Sequence, residues 1–248
     1  THYKNELTKL PSDKTDPTRY PDGYQAGSYW RKLGGSLYDF YLYEWAGVDD
    51  ATGLPLYNKY EKDENGVETV TLVNTSSEGT LRQTGKSALP KFYGGFNTSL
   101  STYGFDFSAA FAYQIGGYTM DSNYQNLMGA GRIGTNWHKD AFNRWTPDNT
   151  TSEVPRLQNA YQEASSTSTR WLTDASYISL RNLTVGYTFP KRIANRLSMQ
   201  SLRIFATGDN LWYLSRRKGL DVRQSFSGAT GFTYSALRTV SGGITVTF

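Results

Sequence analysis

Cysteine is absent from the 248 residues. This excludes disulfide staples, thiolate metal sites and thiol nucleophiles together. Histidine occurs only twice, at His2 and His138, too far apart in sequence for a His-rich metal centre. Charged residues make up 19% and the net charge is +4, which is not the footprint of a nucleic-acid binder. The local basic clusters, Lys191, Arg192 and Arg196 and then Arg216, Arg217 and Lys218, read as solvated turns beside a surface. No apolar run approaches the ~20 residues of a membrane helix. That absence leaves a membrane barrel open, because barrel strands alternate apolar and polar residues. The chain opens at Thr1 with neither an initiator methionine nor a leader pattern. It is expected to be a portion of something longer, or one product of a cut.

What is abundant points to strands. Aromatic residues reach 15%, with 19 Tyr, 12 Phe and 6 Trp, beside 24 Gly; Tyr, Phe, Thr and Gly in these amounts make a strand-and-loop composition. Five segments alternate with period two. In Phe92 to Thr102, Phe92, Phe96 and Leu100 share one phase and Asn97, Ser99 and Ser101 the other. Phe105 to Ile115 sets Phe105, Phe107, Phe111, Tyr113 and Ile115 against Asp106, Ser108 and Gln114. Tyr103-Gly104 between them predicts a tight hairpin. The third strand runs from about Tyr177 to Thr188 and the fourth from about Leu202 to Trp212, where Phe205 interrupts an otherwise polar phase. The fifth carries Val240, Ile244, Val246 and Phe248. Lengths near ten suit a tilted membrane-crossing strand, with Tyr187, Trp212 and Tyr213 as candidates for aromatic girdles. Periodicity alone is equally compatible with a large soluble β-sandwich.

Connection lengths separate the two. They alternate between short (Tyr103-Gly104), very long (Gly116 to Ala175), moderate (Phe189 to Ser201) and long (Ser215 to Ser235). Outer-membrane barrels have short periplasmic turns and longer extracellular loops. The expected fold class is therefore all-β, an antiparallel transmembrane β-barrel segment with long extracellular loops. In the first 90 residues, Lys4 to Leu10 is expected to finish a strand, Leu37 to Trp45 and Thr69 to Val73 to be extended, and Asp63-Glu64-Asn65-Gly66 to turn a hairpin.

Several motifs carry a family resemblance. Tyr177 to Lys191, YISLRNLTVGYTFPK, and Leu202 to Leu211, LRIFATGDNL, look like signatures of SusC/RagA-family TonB-dependent transporters. The closing segment Arg238 to Phe248, the stretch Tyr38 to Asp49, Pro90 to Phe96 with Tyr103 to Asp106, and Arg144 to Asn149 with Val154 to Leu157 are similar to that family's motifs in the same order. The resemblance covers nearly the whole chain and places residues 1–248 as the C-terminal strands of a 22-stranded barrel. It implies the outer membrane of Bacteroidetes-type bacteria and import of oligosaccharides or peptides. It also implies a SusD-type surface lipoprotein as lid, and coupling to TonB–ExbB–ExbD through a plug and TonB box not in this chain. Outer-membrane lipid would surround the barrel, and Phe248 resembles the terminal assembly signal of such barrels. The alternatives are a passive porin or adhesin, and a soluble carbohydrate-binding β-sandwich.

Catalytic and cofactor motifs fail on context. Gly129 to Gly134 spells G-x-G-x-x-G without a βαβ unit around it. Asp63 to Gly66 lacks the ligand spacing of a calcium loop. Asp49 and Asp50 are adjacent, so on an extended chain they point apart. The sequons at Asn74, Asn97 and Asn182 read as loop or lumen residues. No catalytic residue, metal or cofactor is expected. Ligand contacts are sought in the long loop, where Trp137, His138, Asp140, Tyr161 and Trp171 are candidates to face substrate or lid through ring stacking and hydrogen bonds; Arg144 and Trp145 read as packing of the loop itself.

Overall fold

A computed structural model describes residues 4–129, 133–158 and 163–248. In chain order the elements are β1 (Tyr24–Ala26), β2 (Tyr29–Arg31), β3 (Asp39–Tyr43), β4 (Trp45–Val48), β5 (Pro55–Lys62), β6 (Glu68–Val73), β7 (Leu81–Ser87), β8 (Phe92–Thr102), β9 (Phe105–Ile115), β10 (Tyr118–Met120), α1 (Ser122–Leu127), β11 (Leu172–Asp174), β12 (Tyr177–Thr188), α2 (Lys191–Arg196), β13 (Ser201–Ser215) and β14 (Thr239–Thr247). The long strands β8, β9, β12, β13 and β14 form one antiparallel sheet in the order β14-β13-β12-β9-β8. It is an open sheet, not a closed barrel, and among the described residues no further strand extends it beyond β8 or β14.

The two faces of this sheet differ as the alternation requires. Asp106 pairs with Gly186, Ser108 with Thr184, and Thr184 with Thr207, so one face is polar from strand to strand. The other carries Phe96, Phe107, Val185, Ile204 and Ile244, each at least 39% exposed, an apolar surface with no protein against it here. Phe96 stacks on Phe111 with centroids 4.6 Å apart, and Phe105 meets Tyr187 at 4.6 Å, the cross-strand pairing that stabilises such a surface. The register of β12 shifts between Leu180 and Asn182, leaving Arg181 as a bulge against β9. Before the bulge the odd positions face the polar side; after it the even ones do. One extra residue therefore lets Ile178, Leu180, Leu183, Val185 and Tyr187 share a face although their numbering changes parity.

Phe205 lies on the polar face, where its ring covers Gly243 and the Arg203 guanidinium sits 4.8 Å from its centroid. Tyr213 departs from the girdle expectation. It pairs with Ser179 on the polar face, packs near Tyr177, and its hydroxyl accepts from the Val222 amide at 3.1 Å. Trp212, 45% exposed on the apolar face, is placed as a girdle residue would be.

The hairpin tip at Tyr103-Gly104 has φ +47 and +83, the left-handed pair that a two-residue turn with the strands' own twist demands. At this end of the sheet the Phe189 to Ser201 connection is the moderate one and contains α2. At the opposite end, residues 4–91, the Gly116 to Ala175 connection and the loop after β13 pack into one layer. Its four-stranded sheet has the order β1-β2-β3-β7, its three-stranded sheet β4-β5-β6, and its core gathers Phe40, Leu42, Ala88, Met120, Met128, Ala141 and Trp171. The turn expected at Asp63 to Gly66 is present, with the Asp63 carboxylate accepting from the amides of Asn65 and Val67. The strand expected over Lys4 to Leu10 is not: Leu7 exchanges two backbone hydrogen bonds with the Gly34-Gly35 turn, and Pro11 follows. A turn offers no continuing ladder and proline brings no N–H, so the extended segment stops there.

Candidate functional site

The Gly116 to Ala175 connection is not a free loop. Past the positive-φ pair Gly116-Gly117 it pairs with itself, β10 to β11, before the long excursion begins. Asp121 caps α1 by accepting from the Tyr124 amide at 3.0 Å, and Arg217 of the next loop binds the other Asp121 oxygen at 3.0 Å. The Gly228 carbonyl accepts from the Met120 amide, and Thr230 donates back to the Met120 carbonyl. The two longest connections are thereby tied together over the end of the sheet.

Tyr124 is the hub of this arrangement. Its hydroxyl donates to Asp140 at 2.8 Å, its ring meets His138 edge-on at 4.8 Å and Trp171 at 5.8 Å, and the Arg217 guanidinium lies 4.1 Å from its centroid. Burial and the neighbouring Asp140 carboxylate hold the Tyr124 phenol above its ordinary range. Two clefts open beside it. One, of about 630 Å³, lies between β4 and the segment 151–154 and is lined by Trp45, Asp50, Tyr124, Glu153 and Arg170 among others. The second, of about 440 Å³, adds Asp140, Asn143 and Asn149. Tyr124, Ser152, Glu153 and Val154 line both, so the clefts are neighbours.

The candidates from the sequence fall differently around these clefts. Asp140 lines the second. His138 caps the 3-10 turn that carries Asp140, accepting from the Asp140 amide at 3.2 Å, and so positions that carboxylate. Trp137 is 43% exposed, its indole N–H turned to Thr135. Trp171 is 2% exposed and its indole donates to the Ser166 carbonyl at 2.9 Å. A side chain enclosed to this degree holds the core under the site and presents no face to a ligand. Tyr161 lies outside the described residues. Asp49, with Asp50 one of the paired carboxylates, is turn chemistry: it accepts from the Ala51 amide and the Thr52 hydroxyl, which hold its carboxyl below the usual range. Of the G-x-G-x-x-G stretch, only Gly129, Ile133 and Gly134 are among the described residues.

Sequence reasoning missed Tyr124, Glu153 and Arg170. Arg170 stands next to Trp171, yet nothing in the local pattern indicates that β4 will bring Trp45 to its other neighbour, 4.4 Å away. Among the described residues, no cluster of three or more His, Asp or Glu is placed to hold a metal ion.

No family model matches the chain. Two curated relatives do. TonB-dependent receptor P3 of Formosa agariphila is 28% identical over 229 residues, covering 90% of this chain and 22% of the relative. TonB-dependent receptor P26 of the same organism is 27% identical over 173 residues, covering 65% and 17%. Among solved structures, the RagAB peptide importer in its closed-closed state superposes with a TM-score of 0.73 at 27% identity, over 91% of this chain and 25% of that one. Its open-open state gives 0.74 at 26% identity, over 98% and 25%. The chain thus spans about a quarter or less of the length of the proteins it matches. These relatives are receptors and importers rather than enzymes. Over nine-tenths of its length the chain is similar, in sequence and in fold, to a segment of the SusC/RagA type of TonB-dependent outer-membrane receptor.

Proposed function

We propose that this chain supplies barrel wall and outer loops to a TonB-dependent importer that moves oligosaccharides or peptides across the outer membrane. The observation that carries the reading is the five-stranded sheet itself: strands long enough to cross a bilayer, an exposed apolar face, a polar face, and, among the described residues, no strand beyond β8 or β14. Its likeness to TonB-dependent receptors supports the coupling. In this reading the sheet is the C-terminal part of a 22-stranded barrel, with the apolar face toward lipid and the polar face toward the lumen. The Tyr103-Gly104 turn and α2 lie in the periplasm, and the layer of loops lies outside. A plug and TonB box elsewhere in the receptor engage TonB–ExbB–ExbD, and a SusD-type lipoprotein caps the loops. Phe248, 79% exposed at the end of β14, acts as the assembly signal. Trp137 and Asp140 contact substrate or lid, with His138 setting the Asp140 carboxylate.

Uptake of labelled peptide and oligosaccharide mixtures by cells carrying the full receptor tests this. Uptake that vanishes when TonB is inactivated or an uncoupler is added is the expected outcome. Uptake indifferent to both would make the barrel a passive pore. Recovery of the receptor in the soluble fraction after salt and carbonate washes would sink the barrel reading.

A further inference from the structure

Arg170 is a cation of the loop layer set between two indole rings. It emerges from the 3-10 turn Thr169–Trp171, and its guanidinium lies 4.4 Å from the Trp45 ring centroid and 4.6 Å from that of Trp171. Ring contacts of this cation–π kind use none of the guanidinium's N–H donors. Five N–H groups are available on such a head. Among the described residues the partner of Arg170 is one neutral oxygen, the Ala164 carbonyl at 2.9 Å. No carboxylate among the described residues forms an ion pair with it. Burial pushes its pKa down to about 10, against the opposing influence of Tyr124, Tyr57 and Glu153. A desolvated charge without a counter-ion is costly, and it normally acquires one. Here the same side chain lines an open cleft of about 630 Å³.

From a guanidinium set over two indoles at the wall of this cleft, with no ion pair among the described residues, we infer that Arg170 is a receptor for a carboxylate group of a small ligand. A carboxylate is the planar two-oxygen acceptor that matches the in-plane edge of a guanidinium. Asp50 and Glu153 line the same cleft. They disfavour a polyanion and leave room for a ligand with a single carboxylate among hydroxyl or amide donors. Two sources offer that chemistry within the proposed function, on which this inference rests: the C-terminus or an acidic side chain of a peptide, and the uronic acid unit of an oligosaccharide. Trp45 then offers an aromatic wall beside the charged head, and Tyr124 lines the same cleft.

The test uses the full-length receptor in detergent at neutral pH and constant ionic strength, with ligand-observed saturation-transfer NMR titrations. Two probe pairs differ mainly in charge: N-acetylglycine against N-acetylglycinamide, and glucuronate against glucose. A preference for the acid of at least fivefold in Kd in either pair, lost in Arg170→Gln and reduced but present in Arg170→Lys, is the expected result. The pair that shows it identifies the source of the carboxylate. A preference below fivefold in both pairs overturns the inference, and so does a preference that survives in Arg170→Gln. If the glutamine variant fails to fold, Arg170→Lys decides: an undiminished preference there overturns the inference, and a reduced one supports it. TonB-dependent uptake without an acid preference would remove only the Arg170 site. An acid preference without such uptake would remove only the import reading.

Discussion

The finest-grained determinant of the sheet is the triplet Asp106, Gly186 and Arg203. Arg203 reaches across the central strand to bind Asp106 through two hydrogen bonds of 2.9 and 2.5 Å. Gly186 lies beneath that bridge: a Cβ there would come within 2.5 Å of both the guanidinium and the carboxylate. Gly186→Val should therefore part the pair and, in the proposed barrel, lower the temperature at which heat-modifiable mobility on gels is lost. Asp106→Asn should reproduce part of that loss, and adding it to Gly186→Val should do little more. In the loop layer, burial opposes ionisation of Asp221. The hydrogen bonds from Arg223, at 2.8 and 2.7 Å, outweigh it and hold the carboxyl below its usual range. A carboxyl depressed in the folded state contributes stability that is complete above its unfolded value, near ~3.9, and is lost as pH falls through the folded one. Arg223→Gln strands this buried acid and should cost on the order of 3 kcal/mol at neutral pH. Thermal melts of the two proteins across pH should converge below about pH 4; a gap independent of pH would contradict the assignment.

Among the elements, β12 carries the most information. It is the middle strand, hydrogen-bonded on both sides, and its bulge at Arg181 reconciles two phases of alternation. Deleting Arg181 would turn either Ile178 and Leu180 or Leu183 and Val185 toward the polar face. The receptor lacking Arg181 is expected to disappear from the outer-membrane fraction, whereas Arg181→Ala keeps the chain length and should assemble. The facing of the strand gives a second expectation. Val185, 44% exposed on the apolar side, should tolerate arginine poorly, at about 2–4 kcal/mol if it sits near the bilayer midplane. Ser108, on the polar face, should accept the same change at little cost. Equal sensitivity of the two sites in denaturant titrations would reverse the assignment of lipid and lumen faces.

For the whole molecule, the sheet ends at β8 and β14 among the described residues. In the proposed barrel, open strand edges could not be left in hydrocarbon, so further strands of the receptor would have to continue the sheet on both sides. Residues 1–248 expressed alone should aggregate rather than insert, and should be recovered in the membrane when co-produced with the rest of the receptor. The loop layer is tied across its long connections by Arg217 to Asp121, by Gly228 to Met120, and by Tyr29, whose hydroxyl donates to Ser227 at 2.6 Å. Segments nearly 200 residues apart thus share one support, which lets Tyr124 sit rigidly between the clefts.

The amino-acid sequence by itself determined the long strands and their faces. β8, β9 and β12 begin and end where the alternation does, because a period-two pattern flanked by Gly, Pro and Ser is local information. It also carried the tight turn at Tyr103-Gly104 and the motifs shared with TonB-dependent receptors. The facing of Phe205 and Tyr213 was not legible, since it depends on Gly243 across the strand pair and on the loop that brings Val222 to the Tyr213 hydroxyl. Nor was the Arg170 site, whose two indoles come from β4 and from the turn before β11, more than a hundred residues apart. Alternation is written between neighbours, whereas a cleft is made by distant segments that meet only after the core around Phe40 and Trp171 has closed. Tertiary packing alone decided that Arg170, bonded to the Ala164 carbonyl, has no ion-pair partner among the described residues.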